Sequence, residues 1–193
     1  MSGADTAAAH LRRLAALAGA VADSHATEIA DVAERVAGLL NAGGKLMFCG
    51  NGGSAADAQH LATEYVVRYR RDRGALPAIA LTTDTSLLTA AGNDLGFDEV
   101  FARQVSALGR PGDLLFLHST SGRSPNLLRA AEAAREAGVE TIALLAKGGG
   151  PLAERVDRAL ILPTDEGARA QEVQLAIGHI ICEIVEDGVD AGD

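Results

Sequence analysis

The chain has 193 residues, of which 48% are hydrophobic and 22% are charged, and its formal net charge is −9. This length and composition predict one folded domain with a substantial core and exclude an intrinsically disordered chain. A uniformly acidic protein repels a phosphate backbone, and no apolar run is long enough for a signal peptide or a membrane span, so we expect no nucleic-acid partner and no membrane insertion.

Residues 7–18 and 24–41 carry apolar side chains at helical spacing. This pattern predicts an N-terminal helical pair within residues 1–43, and the glycines at 43–44 are expected to end the second helix. The remainder of the chain, to residue 193, shows no linker or internal repeat. We therefore predict a single domain over residues 1–193.

After residue 44 the chain alternates between short apolar runs and helical stretches. The apolar runs are continuous rather than alternating, as expected for strands that are covered on both faces. Strands that alternate with helices predict an α/β fold, a three-layer α-β-α sandwich around a five-stranded parallel sheet. The predicted strands are 45–49, 78–81, 113–118, 141–145 and 159–162, and the predicted helices are 54–69, 85–91, 98–107, 124–137, 150–157 and 166–187.

Both cysteines, Cys49 and Cys182, lie inside apolar runs. This placement is typical of buried, reduced thiols in a cytoplasmic protein. No cluster of cysteines is available to close a structural metal site.

Two predicted strands are followed by loops suited to an anion, at the strand ends where ligands of parallel sheets bind. The first, residues 50–54 (the glycine loop), reads Gly-Asn-Gly-Gly-Ser, and small residues allow backbone N–H groups to approach a ligand. Ser54 is a candidate cap for the following helix, although such a sequence is also a common turn. The second, residues 119–124 (the serine loop), offers four hydroxyls immediately before Pro125 at a helix N-terminus. A loop that merely caps its helix is the alternative, but one cap does not need four hydroxyls.

Two further pairs are spaced for a shared helix face. His60 and Glu64 are four residues apart, whereas Gln171 and His179 are eight apart and about 12 Å distant along a helix axis. A surface His–Glu pair and a core histidine among isoleucines are the alternatives when each pair is considered alone.

Considered together, these residues resemble the phosphoheptose isomerases of the SIS fold over nearly the whole chain. Four motifs occur in the family's order and spacing. They are residues 49–60, Asn93-Asp94 with Phe97 and Val100-Phe101, Ser119-Thr120-Ser121-Gly122 with Ser124, and Gln171-Glu172-Val173 with His179.

The resemblance implies a flavodoxin-like SIS domain that forms a homotetramer with active sites at subunit interfaces. It implies one zinc ion per subunit, bound by His60, Glu64, Gln171 and His179. The implied reaction converts sedoheptulose 7-phosphate to D-glycero-D-manno-heptose 7-phosphate through an enediolate. The implied substrate-binding residues are Asn51, Gly52, Gly53, Glu64, Asn93, Asp94, Ser119, Thr120, Ser121, Ser124 and Gln171.

The family pattern also implies the catalytic roles, with Glu64 as the base on carbon and His179 as the acid on oxygen. A buried carboxylate and an imidazole near neutrality are suited to these steps. Glu64 cannot serve fully as a zinc ligand and a free base at once, so the two roles belong to different moments or states of turnover.

Two residues depart from the family pattern, and two other functions stay open. Arg123 stands where Asn is frequent, where it either adds charge near a phosphate or points outward, and Gln174 stands where His is frequent. A non-catalytic SIS scaffold that binds a replication initiator is one alternative, although such scaffolds typically lack residues matching Glu64 and His179. An isomerase for another sugar phosphate is the other, and the His60–Glu64 signature argues against a pentose-phosphate isomerase.

Overall fold

The computed structural model of the protein describes residues 2–189, which are built around a parallel β-sheet. The strands are β1 (Leu46–Gly50), β2 (Ala78–Ala80), β3 (Leu114–His118), β4 (Glu140–Leu145) and β5 (Arg158–Ile161). Their order across the sheet is β2-β1-β3-β4-β5, and every neighbouring pair is parallel. The predicted five-stranded sheet is confirmed, and each strand lies within one residue of its predicted bounds.

Helices cover both faces of the sheet. They are α1 (Gly3–Asn41), α2 (Gly53–Val66), α3 (Thr85–Asp94), α4 (Ala102–Leu108), α5 (Pro125–Ala137) and α6 (Gly167–Gly188). One buried cluster joins α1, α2 and α6 to the strand face that includes Phe48 and Phe116, and a second joins α4 and α5 to the opposite face with Met47 and Leu115. The predicted three-layer sandwich is thereby confirmed.

The predicted N-terminal helical pair is wrong, because α1 is one continuous helix of 39 residues. No proline interrupts residues 18–24, and the Ser24 hydroxyl donates to the carbonyl of Ala20 inside the helix instead of capping a new one. Leu17 is the first buried residue of α1, so the preceding turns project beyond the core. Gly43, with φ of +86°, follows the end of α1, as predicted.

Four other helices differ from their predicted bounds by more than one residue, among them α3, which ends at Asp94 rather than at 91. Residues 98–107 divide into a 3₁₀ turn (Phe97–Glu99) and α4, while residues 150–157 form a 3₁₀ turn (Gly150–Glu154). Helix α2 ends at Val66 rather than at 69, because the N–H of Tyr69 donates to Glu186 instead of continuing the helix.

The strand order reverses between β1 and β3, and this places the two loops side by side. Gly50, the last residue of β1, is in register with His118, the last residue of β3. The glycine loop and the serine loop therefore leave the sheet from neighbouring carboxyl ends, where parallel sheets bind ligands.

Cys49 and Cys182 are buried and unpaired, as predicted. Burial raises the pKa of Cys182 to about 12 and also raises that of Cys49, so both thiols are protonated. Between residues 2 and 189, none of the helices is sufficiently long and apolar to cross a membrane.

Candidate active site

The glycine loop and the serine loop are joined by a pair of side-chain amides. Asn51 donates to Asn126 at 2.9 Å, and Asn126 donates back at 2.8 Å. Asn126 is buried and lies in the first turn of α5. The two loops that the sequence predicts as anion sites therefore form one connected surface.

The serine loop presents hydroxyls that its own fold does not consume. Ser124 is the N-cap residue of α5 and Pro125 begins the helix, as predicted, but the Ser124 side chain makes no capping hydrogen bond. The Ser119 hydroxyl accepts the N–H of Gly122 at 3.0 Å, and the Ser121 hydroxyl accepts the N–H of Arg123 at 3.3 Å. Accepted bonds leave the hydroxyl protons available, so this loop can donate to an anion at the N-terminus of α5.

The position of Gly122 fixes the shape of this loop. Its φ is +60°, and an added Cβ would lie 1.8 Å from the carbonyl oxygen of Gly149. Only glycine permits this approach of the serine loop to the chain that follows β4.

His60, Glu64 and His179 converge where α2 and α6 lie beside one another. The two Nε2 atoms of His60 and His179 are 2.8 Å apart, and Nε2 of His60 is 3.2 Å from a carboxylate oxygen of Glu64. One potential ligand atom from each of the three lies within 4.8 Å of the others. The side chain of His60 is 48% exposed and that of Glu64 is 17% exposed, so the cluster is open to solvent on one side.

His179 is half-buried rather than a core histidine. Desolvation by burial lowers the pKa of His179, the neighbouring imidazole of His60 lowers it further, and the carboxylate of Glu64 opposes both. The ring of Tyr69 stacks on the imidazole, with centroids 5.3 Å apart and planes at 19°.

Gln171 lies at the glycine loop, and its described hydrogen bond joins its amide to the Ser54 hydroxyl at 3.4 Å. Ser54 is buried in the first turn of α2, whose N-cap is Gly52, so the prediction that Ser54 caps this helix is wrong. The amide of Gln171 also occupies the space that a Cβ at Gly53 would fill. Ser54 precedes His60 by six residues, or about 9 Å of helix rise. Gln171 as a metal ligand therefore stays a prediction, whereas its contact with the glycine loop agrees with a role beside the substrate.

Asn93 and Asp94 are exposed at the end of α3, where the Asn93 amide donates to the Asp94 carboxylate at 2.7 Å. Their role in substrate binding stays a prediction.

Three residues of this region were not singled out from the sequence. Asn126 and Tyr69 act through contacts between distant segments, which spacing along the chain does not reveal. Lys147 follows β4 with φ of +51°, and its Nζ and the Thr120 hydroxyl lie 4.0 and 3.9 Å from where a Cβ of Gly167 would be. Within residues 2–189 Lys147 forms no ion pair, so a free cation faces the start of α6 beside the serine loop. A lone lysine after a strand was the available signal.

Known proteins resemble this chain in both sequence and structure. The SIS domain family model matches residues 9–146. The phosphoheptose isomerase of Rhodospirillum rubrum is 56% identical over 164 residues, which cover 85% of this chain and 87% of that protein. The phosphoheptose isomerase of Roseiflexus sp. is 54% identical over 164 residues, covering 85% and 83%.

Solved structures give the same result. The structure of phosphoheptose isomerase from Neisseria gonorrhoeae has a TM-score of 0.91 at 40% identity, covering 96% of this chain and all of that one. The enzyme from Francisella tularensis has a TM-score of 0.94 at 36% identity, covering 97% and 100%. The chain belongs to the SIS domain family and, within it, to the phosphoheptose isomerases.

Proposed function

We propose that this protein isomerises sedoheptulose 7-phosphate to D-glycero-D-manno-heptose 7-phosphate in heptose biosynthesis. The observation that carries the proposal is the convergence of His60, Glu64 and His179 on helices α2 and α6, of which α2 begins within the glycine loop. A scaffold without catalysis has no need for a carboxylate and two imidazoles within one cluster. No other feature of residues 2–189 favours the scaffold hypothesis.

The experiment that tests this function follows the purified protein with sedoheptulose 7-phosphate in deuterium oxide. The reaction moves a proton from C1 to C2, so the aldose product is expected to carry solvent deuterium at C2. Absence of both conversion and exchange at C1 would remove the isomerase proposal and favour the scaffold.

The serine loop is proposed to hold the phosphate. Ser119, Thr120, Ser121 and Ser124 would donate hydroxyl protons to it, with the α5 N-terminus and the amine of Lys147 supplying positive potential. Local charge of this kind is required because the chain as a whole is acidic.

Replacing Ser121 and Ser124 together by alanine is expected to raise the KM for sedoheptulose 7-phosphate while the protein stays folded. A hydrogen bond to a charged group contributes roughly 1.5–3 kcal/mol, so the double variant should lose at least about tenfold in affinity. Steady-state kinetics measures the effect, and Ser24→Ala on α1 is the matched control. A KM equal to that of the wild-type protein would exclude the serine loop from the phosphate site.

The proposed proton transfers use groups of this cluster. The carboxylate of Glu64 would remove the proton from C1 and return it to C2, while the imidazole of His179 would exchange a proton between O1 and O2. The lowered pKa of His179 favours its neutral form, which can accept a proton at one nitrogen and donate at the other.

Zinc is the metal we propose for the cluster. The donor set fits, because zinc accepts imidazole nitrogen and carboxylate oxygen, and these atoms already converge. His60, Glu64 and His179 would hold the ion, and Gln171 is proposed as the fourth ligand from the family pattern. When bound, zinc would act as a Lewis acid on the carbonyl oxygen of the sugar.

Purified protein is accordingly expected to carry about one zinc ion per subunit, and His60→Ala is expected to lose it. Metal analysis of the dialysed proteins measures this, with His10→Ala, a histidine exposed on α1, as the control. Full activity in protein free of zinc would contradict the assignment.

The protein is further proposed to be a cytoplasmic homotetramer with active sites at subunit interfaces. Several large apolar side chains remain exposed in a single chain. They include Val66 and Val67 at the end of α2 and Ile180 next to His179, together with Leu95 and Phe97 after α3 and Leu11 on the projecting part of α1. Such surface is typical of an interface between subunits.

A further inference from the structure

Glu186 of α6 is a buried carboxylate that holds the segment after α2. Its side chain is 2% exposed and accepts three successive backbone N–H groups, those of Tyr69, Arg70 and Arg71, at 2.9, 2.9 and 3.1 Å. It also accepts Nε of Arg73 at 3.1 Å. Burial alone raises the pKa of Glu186, but these donors outweigh it and the net pKa is lowered, so the carboxylate is ionised.

Arg73 extends the same network to the end of α2. Its side chain is 6% exposed, and it donates to the carbonyl oxygens of Glu64 at 2.7 Å and Tyr65 at 2.8 Å. These carbonyls belong to the last turn of α2 and have no partner within the helix. The pair of Glu186 and Arg73 therefore fastens α6 to the backbone of Glu64 itself.

Tyr69 connects this network to the cluster of His60, Glu64 and His179. Its N–H is held by Glu186, and its ring stacks on the imidazole of His179. Glu186 follows His179 by seven residues, so the two side chains emerge from nearly the same face of α6, about 10 Å apart along the axis. The backbone and the ring of Tyr69 thus span the distance between them.

The other ion pairs between α6 and the segment after α2 are exposed to solvent. Arg70 pairs with Glu183, and Arg71 pairs with Asp187, and all four side chains are about half exposed or more. Exposed ion pairs contribute little to the stability of a fold. Glu186 is the contact that defines where residues 69–71 lie.

We propose that Glu186 is a positioning residue for the isomerisation, which holds the ring of Tyr69 against His179 and so fixes the direction in which that imidazole faces His60 and Glu64. The catalytic consequence rests on the proposed function, whereas the positioning of the imidazole does not.

The test compares Tyr69→Leu, Tyr69→Phe and Glu186→Gln with Asp187→Asn, which removes the neighbouring exposed carboxylate. Tyr69→Leu and Glu186→Gln are expected to lower kcat by about 10- to 100-fold, the range for a misplaced reacting group, with KM for sedoheptulose 7-phosphate little changed. Tyr69→Phe keeps the stacked ring and is expected to restore kcat. Asp187→Asn is expected to match the wild-type protein.

The second readout is the imidazole of His179, observed by NMR in protein labelled at histidine Cε1 and assigned with His179→Gln. The stacked ring of Tyr69 is expected to shift this resonance in the wild-type protein. Tyr69→Leu and Glu186→Gln are expected to abolish the shift, and Tyr69→Phe is expected to keep it.

A Glu186→Gln protein that keeps both the ring shift and the wild-type kcat would overturn the proposal. So would a Tyr69→Phe protein as impaired as Tyr69→Leu, because the stacked ring would then not be the cause. If Glu186→Gln does not fold, the two Tyr69 variants still decide whether the ring positions His179. If the NMR shifts change among the variants as expected but the wild-type protein has no isomerase activity, the proposed function is refuted and the positioning of His179 is not.

Discussion

Replacing Glu64 by glutamine, or His179 by glutamine, is expected to lower the turnover of sedoheptulose 7-phosphate by roughly 10²–10⁴-fold, the contribution of a positioned acid or base. Glutamine keeps the length of Glu64 and an oxygen ligand but cannot remove a proton from carbon. At His179, glutamine keeps polarity but loses the group that titrates near neutral pH. Initial rates of conversion measure both variants.

Both proteins are expected to remain folded and to bind sugar phosphate, because the serine loop, which connects β3 to α5, is unchanged. Titration calorimetry with substrate checks this binding. Matched controls are Glu183→Gln and His10→Gln, which alter an exposed carboxylate and an exposed histidine. Turnover at the wild-type rate in Glu64→Gln would refute its role as the base.

Loss of His118 is expected to make the protein markedly more resistant to acid. His118 ends β3, is fully buried against Phe48 and Phe116, and has no hydrogen-bond partner for either ring nitrogen among residues 2–189. Burial without a partner lowers its pKa from 6.5 to about 4. The folded protein therefore holds this imidazole neutral at pH values where the unfolded chain protonates it.

The direction of the effect follows from this difference. Below pH 6.5 the unfolded state binds the proton first, so stability falls as the pH decreases to about 4, by roughly 3 kcal/mol in total. The variant His118→Leu lacks this titrating group. Its free energy of unfolding is therefore expected to fall between pH 7 and pH 4.5 by roughly 2–3 kcal/mol less than that of the wild-type protein. Urea denaturation at both pH values measures it, and His10→Leu is the matched control. Equal pH dependence in His118→Leu and the wild-type protein would show that His118 is not the group responsible.

The sheet was predictable because each strand contains a short continuous apolar run, bounded by polar, glycine or proline residues, a pattern that is visible without knowledge of the tertiary contacts. The length of α1 was not predictable in the same way. Its apolar periodicity weakens near Gly19 and Asp23, which suggested a break, yet nothing there forces one. The buried positions Leu17 and Val21 flank Gly19, so the buried face of α1 in fact continues through the segment where the break was predicted.

The convergence of His60 and His179 was implied by the family pattern rather than by spacing. They lie 119 residues apart, and their contact arises because α2 and α6 run side by side on one face of the sheet. The stack of Tyr69 on His179 could not be anticipated at all, since it depends on where the irregular segment after Val66 is held. Periodicity along the chain indicates where helices and strands lie, but it does not reveal which distant side chains contact one another.

The amide pair of Asn51 and Asn126 constrains how these two positions can vary. Each amide supplies one donor and one acceptor to the other, so an aspartate at either position would set an oxygen against an oxygen. Because Asn126 is buried, a lost partner leaves an unpaired polar group that costs about 1–3 kcal/mol. Replacing one of the two residues is therefore expected to destabilise the fold more than replacing both together. Across related proteins, the residues at these two positions are expected to change as a pair.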